Sequence, residues 1–196
     1  GTDTGNAGTS VPLQYYNGTS WVDYTASSYV QIASTGTTLL VRTAITNDTV
    51  SDNNETFKLV ATNTGGTSTP DTQGVATIKD DGTGSKYLGT NTTGTADSTG
   101  PGSGFDDDRA LSINNITVNE GSPYAVFTVT GAAGQYVQLS LANTTTSSDT
   151  DATLGTDTGN AGTSVPLQYY NGTSWVDYTA SSYVQIASTG TTLLVR

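Results

Sequence analysis

The chain has no cysteine, no histidine and no methionine, and only six basic residues stand against seventeen acidic ones. Without cysteine there are no disulfide staples, thiolate zinc sites or thiol nucleophiles. Without histidine the commonest general base and the commonest transition-metal ligand are missing. The shortage of bases excludes partners as well: a net charge of −11 and a pI near 4.1 offer no basic face to displace counterions from nucleic acid or to hold an anionic membrane surface. No stretch approaches the roughly 18 apolar residues of a membrane span, so direct membrane insertion is not expected, and no basic-then-apolar leader opens the chain. A chain that opens on Gly1 reads as an excerpt of a longer protein. Acid/base catalysis would fall to Glu55, Glu120 and the aspartates. These carry no pocket pattern, and no enzyme is expected.

What the chain does have points to strands. Forty Thr, twenty Ser and 23 Gly make up about two fifths of it, but eleven Tyr, two Trp and many Val, Ile and Leu supply more apolar surface than a disordered segment carries. Thr, Val and Tyr fit a pleated, half-buried surface, and few stretches could hold a helix. The expected class is all-β.

Residues 1–42 recur letter for letter at 155–196, a period of 154 residues. Homologous domains drift, so 42 consecutive identities indicate a recently duplicated array of which this chain holds about 1.3 periods. One period, 43–196, carries fifteen acids and five bases, a net charge of −10, so charge accumulates along the array. A period of that length exceeds a solenoid repeat, and each unit should be a domain with its own core.

Asn17-Gly18 between the apolar-rich runs VPLQYY and WVDY marks a hairpin over 11–24, repeated at 165–178. Further strands are expected in SYVQIA at 28–33, LLVRTAIT at 39–46, ETFKLVATN at 55–63 and GVATIKD at 74–80. ALSINNITV, YAVFTVTG and QYVQLSLAN add three more between 105 and 142. Residues 82–104 lack an apolar pattern, are rich in Gly, Thr and Ser, and read as a linker or a long ordered arm. On that division, 1–81 is the C-terminal part of one module and 105–196 the N-terminal part of the next. Neither is complete, and cut edges would be filled by adjoining chains, by strand exchange or by continuation of the chain.

Four segments, VNEGSPYAVFTV at 118–129, GTDTG at 155–159, NDTVSDNNETFKL at 47–59 and VATIKDD at 75–81, resemble the Calx-beta domain. More narrowly, they are similar to the Calx-beta-like tandem modules of giant bacterial surface adhesins of the RTX-type, type I secreted kind. The resemblance covers nearly the whole period outside 82–104. It implies an immunoglobulin-like β-sandwich of about seven strands whose end loops gather carboxylates around calcium. Carried over by position, the candidate ligands are Glu120, Asp157 and its copy Asp3, Asp48, Asp52, Glu55, Asp80 and Asp81. The chain departs from the family pattern where Asn47 replaces an Asp, Asp52 a Glu, and Asn53-Asn54 a Gly-Asp pair.

Calcium takes six to eight oxygen ligands, and oxygen ligands are all this chain offers. The triplet Asp106-Asp107-Asp108 adds three adjacent carboxylates that repel one another unless a cation or Arg109 intervenes. Asp149 and Asp151 have a spacing that suits a calcium loop or an ordinary polar turn. Tyr15, Tyr16, Trp21, Tyr24 and Tyr29, with their copies, could form a sugar platform, but alternation places half of them in a core. The sequons, at Asn17 for example, arise by chance in a Thr-rich chain. The reading that follows is a calcium-stiffened spacer of an extracellular or cell-surface bacterial adhesin, packed against identical modules, with cells or surface glycans met through other regions of the full protein. A self-assembling fibre or surface layer built by strand exchange, and a glycan-binding module, are the alternatives.

Overall fold

The computed structural model describes residues 12–52, 54–63, 72–102, 104–143, 152–159 and 166–196. These are all-β: no helix occurs among them, and every pairing between named strands is antiparallel. The chain divides into two compact units, Gly1–Asp108 and Arg109–Arg196.

In the first unit, β1 (Gln14–Tyr16), β2 (Trp21–Asp23) and β3 (Val41–Arg42) form a sheet of order β2-β1-β3. The hairpin turns where expected. Asn17 Oδ1 accepts from the Thr19 and Ser20 amides, both at 2.9 Å, and Gly18 takes φ +96°, a left-handed value that glycine adopts without strain. β4 (Thr56–Ala61) and β5 (Thr72–Thr77) pair over six residues, from Thr56 opposite Thr77 to Ala61 opposite Thr72.

The Gly/Thr/Ser-rich stretch takes the form of an ordered arm. Within it, β6 (Ser85–Lys86) pairs with β7 (Ser98–Thr99), and the arm is tied to the first sheet by polar bonds to backbone carbonyls. Trp21 Nε1 donates to Asn91 O at 2.9 Å and Arg42 Nη1 to Gly89 O at 2.8 Å. Inside the arm, Asp97 Oδ2 accepts from the Leu88 amide at 2.7 Å and from Asn91 Nδ2 at 2.8 Å. The arm groups with the first compact unit, which ends at Asp108.

The second unit holds β8 (Ser112–Ile113), β9 (Phe127–Thr130), β10 (Tyr136–Val137), β11 (Gln168–Tyr170), β12 (Trp175–Asp177), β13 (Val184–Gln185) and β14 (Thr192–Val195). Five of these form a sheet of order β12-β11-β14-β9-β8, and β10 pairs with β13. The core cluster of buried apolar side chains lies here: Val129, Val137, Leu167, Tyr178, Val184, Ile186, Leu193 and Val195. Gly131 packs tightly beside it: a Cβ would meet Gln135 Oε1 at 2.5 Å, Leu111 Cδ2 at 2.7 Å and Ile186 Cδ1 at 2.8 Å, so a larger residue would have to displace these side chains. Gln135 is buried with both ends of its amide bonded, Nε2 donating to Arg109 O and Oε1 accepting from the Ala132 amide.

The two copies of the repeated sequence fold alike locally. Tyr16 opposes Trp21 as Tyr170 opposes Trp175, and each ring pair sits 5.5 Å apart. Arg42 lies 4.2 Å over Trp21, and Arg196 4.3 Å over Trp175. The aromatics are thus engaged largely within each hairpin, and Tyr169 and Tyr178 join the core of the second unit. SYVQIA, expected as a strand in both copies, yields β13 in the second, whereas Val30 and Gln31 form no strand in the first.

Candidate metal centre

β5 runs out at Thr77, and the chain continues extended through Ile78 and Lys79 to Asp80, which is only 7% exposed. Burial of a carboxylate demands partners. Asp80 Oδ2 accepts from the Asp52 amide at 3.2 Å, and Asp80 Oδ1 lies 3.4 Å from the Asp108 amide. The end of the arm is held alongside by an antiparallel bridge between Asp81 and Asp107 and by the Gly82 amide donating to Asp106 O at 2.7 Å. Gly82 has φ +74°, a left-handed value that favours glycine, and a Cβ on it would sit 3.2 Å from Asp107 Oδ2 and press on that carboxylate.

Side chains alternate along extended backbone, which divides the aspartate triplet. Asp106 and Asp108 converge with Asp80, one oxygen from each lying within 4.8 Å of the others, while Asp107 is the bridging residue opposite Asp81. This is the group of three that could hold a metal ion among the described residues. It faces a cavity of about 170 Å³ also lined by Asn47, Asp48, Asp52 and Phe105.

The electrostatics favour a cation. Loss of water contact pushes the Asp106 carboxyl above the ordinary carboxylate range; Asp80 adds to the rise, and a hydrogen bond from the Asn47 side chain opposes it. The Asp108 carboxyl is raised by the same loss of solvent and then by the charges of Asp106, Asp80, Asp48 and Asp107. Lys79 and Lys86 also line the cavity, but their ammonium groups are engaged: Lys79 Nζ lies 2.6 Å from Asn54 Oδ1 and 3.7 Å from Asp81 Oδ2, and Lys86 Nζ donates to Gly104 O at 2.7 Å. Ligand oxygens sharing one calcium at about 2.3–2.6 Å stand no more than about 5 Å apart, so the spacing of the three carboxylates fits a hard divalent ion. The set contains no nitrogen or sulfur donor that would favour zinc.

The other expected ligands divide clearly. Asp48 and Asp52 line the cavity, the former with its Oδ1 accepting from the Val50 amide at 2.7 Å. Asp81 Oδ1 accepts from the Thr83 amide at 3.1 Å and from the Thr83 hydroxyl. Glu55 is half-buried beside β4, outside the three-carboxylate group and the cavity lining. Glu120 and Asp157 are exposed residues of the second unit, where Asp157 Oδ2 accepts from the Thr153 amide at 2.8 Å. Asp3, Asp149 and Asp151 lie outside the described residues. Asn47 was not expected to act on the site; its position as a stand-in for an Asp in the family spacing was the available signal.

Comparison with known proteins returns no matching family model, no matching curated protein and no matching solved structure.

Proposed function

We propose that the chain is a non-catalytic spacer from a large extracellular bacterial adhesin or surface filament, built of immunoglobulin-like β-sandwich modules and stiffened by calcium. The observation that carries this reading is the place of Asp80, Asp106 and Asp108. They converge toward the sequence end of the first unit, in a chain whose first 42 residues recur 154 positions later. An ion held there would tie the end of the β4–β5 hairpin to the end of the arm and remove freedom at the place where one unit gives way to the next in sequence. The acidic composition and the Calx-beta resemblance support calcium as that ion, and Asn47, Asp48 and Asp52, which line the same cavity, are the further oxygen donors it would draw on.

Calorimetry on the intact chain tests it. Calcium should bind saturably and raise the melting temperature, and Asp106→Asn or Asp108→Asn should weaken binding by tenfold or more. Small-angle scattering of a longer array should show a shorter mean length after chelation. Absence of calcium binding, together with identical melting and scattering in chelator, would sink the proposal.

A further inference from the structure

The same 42 residues occur in two environments, and their apolar side chains are more deeply buried in the second. Ile186 is fully buried while its copy Ile32 is 48% exposed; Tyr183 is 40% exposed and Tyr29 is 82% exposed. Val184, Leu193 and Val195 are buried, whereas Val30, Leu39 and Val41 are only partly covered. Sequence and hairpin geometry are shared, so the contrast comes from what packs on them. In the second unit that is residues 110–141, which carry β8, β9 and β10.

β9 pairs with β14 from Thr130 opposite Thr192 to Phe127 opposite Val195, and β10 pairs with β13. The Ile186 amide donates to Gln135 O at 2.8 Å, the Leu139 amide to the Tyr178 hydroxyl at 3.1 Å, and Gln138 Nε2 to Ser181 O at 3.0 Å. In the first unit β3 is a sheet edge, and a hollow of about 440 Å³ lies beside it, lined by residues including Tyr15, Tyr29, Val30, Gln31 and Leu39. The arm contacts Leu40 and Arg42, and strand alternation puts Leu39 and Val41 on the other side.

We propose that this face of the first unit is a docking surface for a second copy of residues 110–141. The visiting segment would repeat the register seen in the second unit: Val129 opposite Leu39, Phe127 opposite Val41, Tyr136 opposite Gln31, and Gln135 O accepting from the Ile32 amide. The donor commits to one chemistry because its template is present in the molecule, residue for residue. The proposal is independent of whether the carboxylates hold an ion, so the calcium experiment can fail without touching it.

The test is titration of a synthetic peptide of residues 105–143 into the intact 196-residue chain, followed by calorimetry. Saturable binding at one peptide per chain is expected, weakened at least tenfold by Ile32→Asp and by the milder Ile32→Ser. Because Ile32 is half exposed in the free chain, both variants should keep the parent circular dichroism and melting. Absence of saturable binding overturns the proposal. So does binding that both variants leave unchanged, since the peptide would then have displaced its own copy from the second unit or bound elsewhere.

Discussion

Ile32 and Ile186 occupy the same place in identical sequences, so whatever separates their energetic weight belongs to the surroundings. Ile186 is fully buried in the core cluster that includes Val129 and Val137, and truncation to alanine removes buried methylenes and leaves a cavity. Ile186→Ala should cost about 2–5 kcal/mol. Ile32→Ala should stay within about 1 kcal/mol, because the side chain is already half in water. Urea unfolding of the two variants gives the comparison directly, and equal losses would show that the first copy carries a hidden core. No reading of the sequence could separate these residues, since their neighbours along the chain are the same for many positions on either side. The aspartate triplet reads in the sequence as three carboxylates around one cation; in the structure Asp106 and Asp108 converge with Asp80 while Asp107 bridges to Asp81, and the contribution of Asn47 arrives from a distant segment.

Among the elements, the hairpins were readable because an Asn-Gly turn between apolar runs carries its own geometry: the turn, register and aromatic pairing are the same in both copies. SYVQIA was less so. It has strand propensity in both places and pairs only where β10 supplies a partner, an override of local preference by context. The arm over 82–104 is the opposite case, since it has no apolar pattern and its order comes from side chains bonded to backbone, with Asp97 prominent among them. The Leu88 amide, followed by the Asn91 side chain, holds the Asp97 carboxyl below its ordinary range. A folded-state pKa that is depressed adds stability above the unfolded value, and that stability disappears as pH falls through the folded value. The arm should therefore loosen on the acid side, below about pH 4. Asp97→Asn should flatten that part of the pH profile of amide exchange at Leu88, whereas an unaltered profile would remove Asp97 from the account.

At the scale of the whole molecule, the all-β class followed from composition, whereas the place where the chain divides into two compact units, after Asp108, has no marker in the 154-residue repeat. The distribution of the core was not legible: the core cluster formed in the unit where 110–141 and 166–196 share one body. The Asp81–Asp107 bridge has a mechanical consequence. It joins the two ends of the arm, so tension along the backbone can pass across the bridge and bypass the 25 residues 82–106. Breaking that bridge together with the β6–β7 pair and the bonds from Trp21 and Arg42 to the arm would release stored contour on the order of 80 Å, at about 3.3–3.6 Å per residue. Pulling the chain end to end in a single-molecule trap should show a step of that size, delayed to higher force in calcium and advanced in Asp106→Asn. A molecule with such a step has a fuse: it lengthens under overload before its sheets come apart.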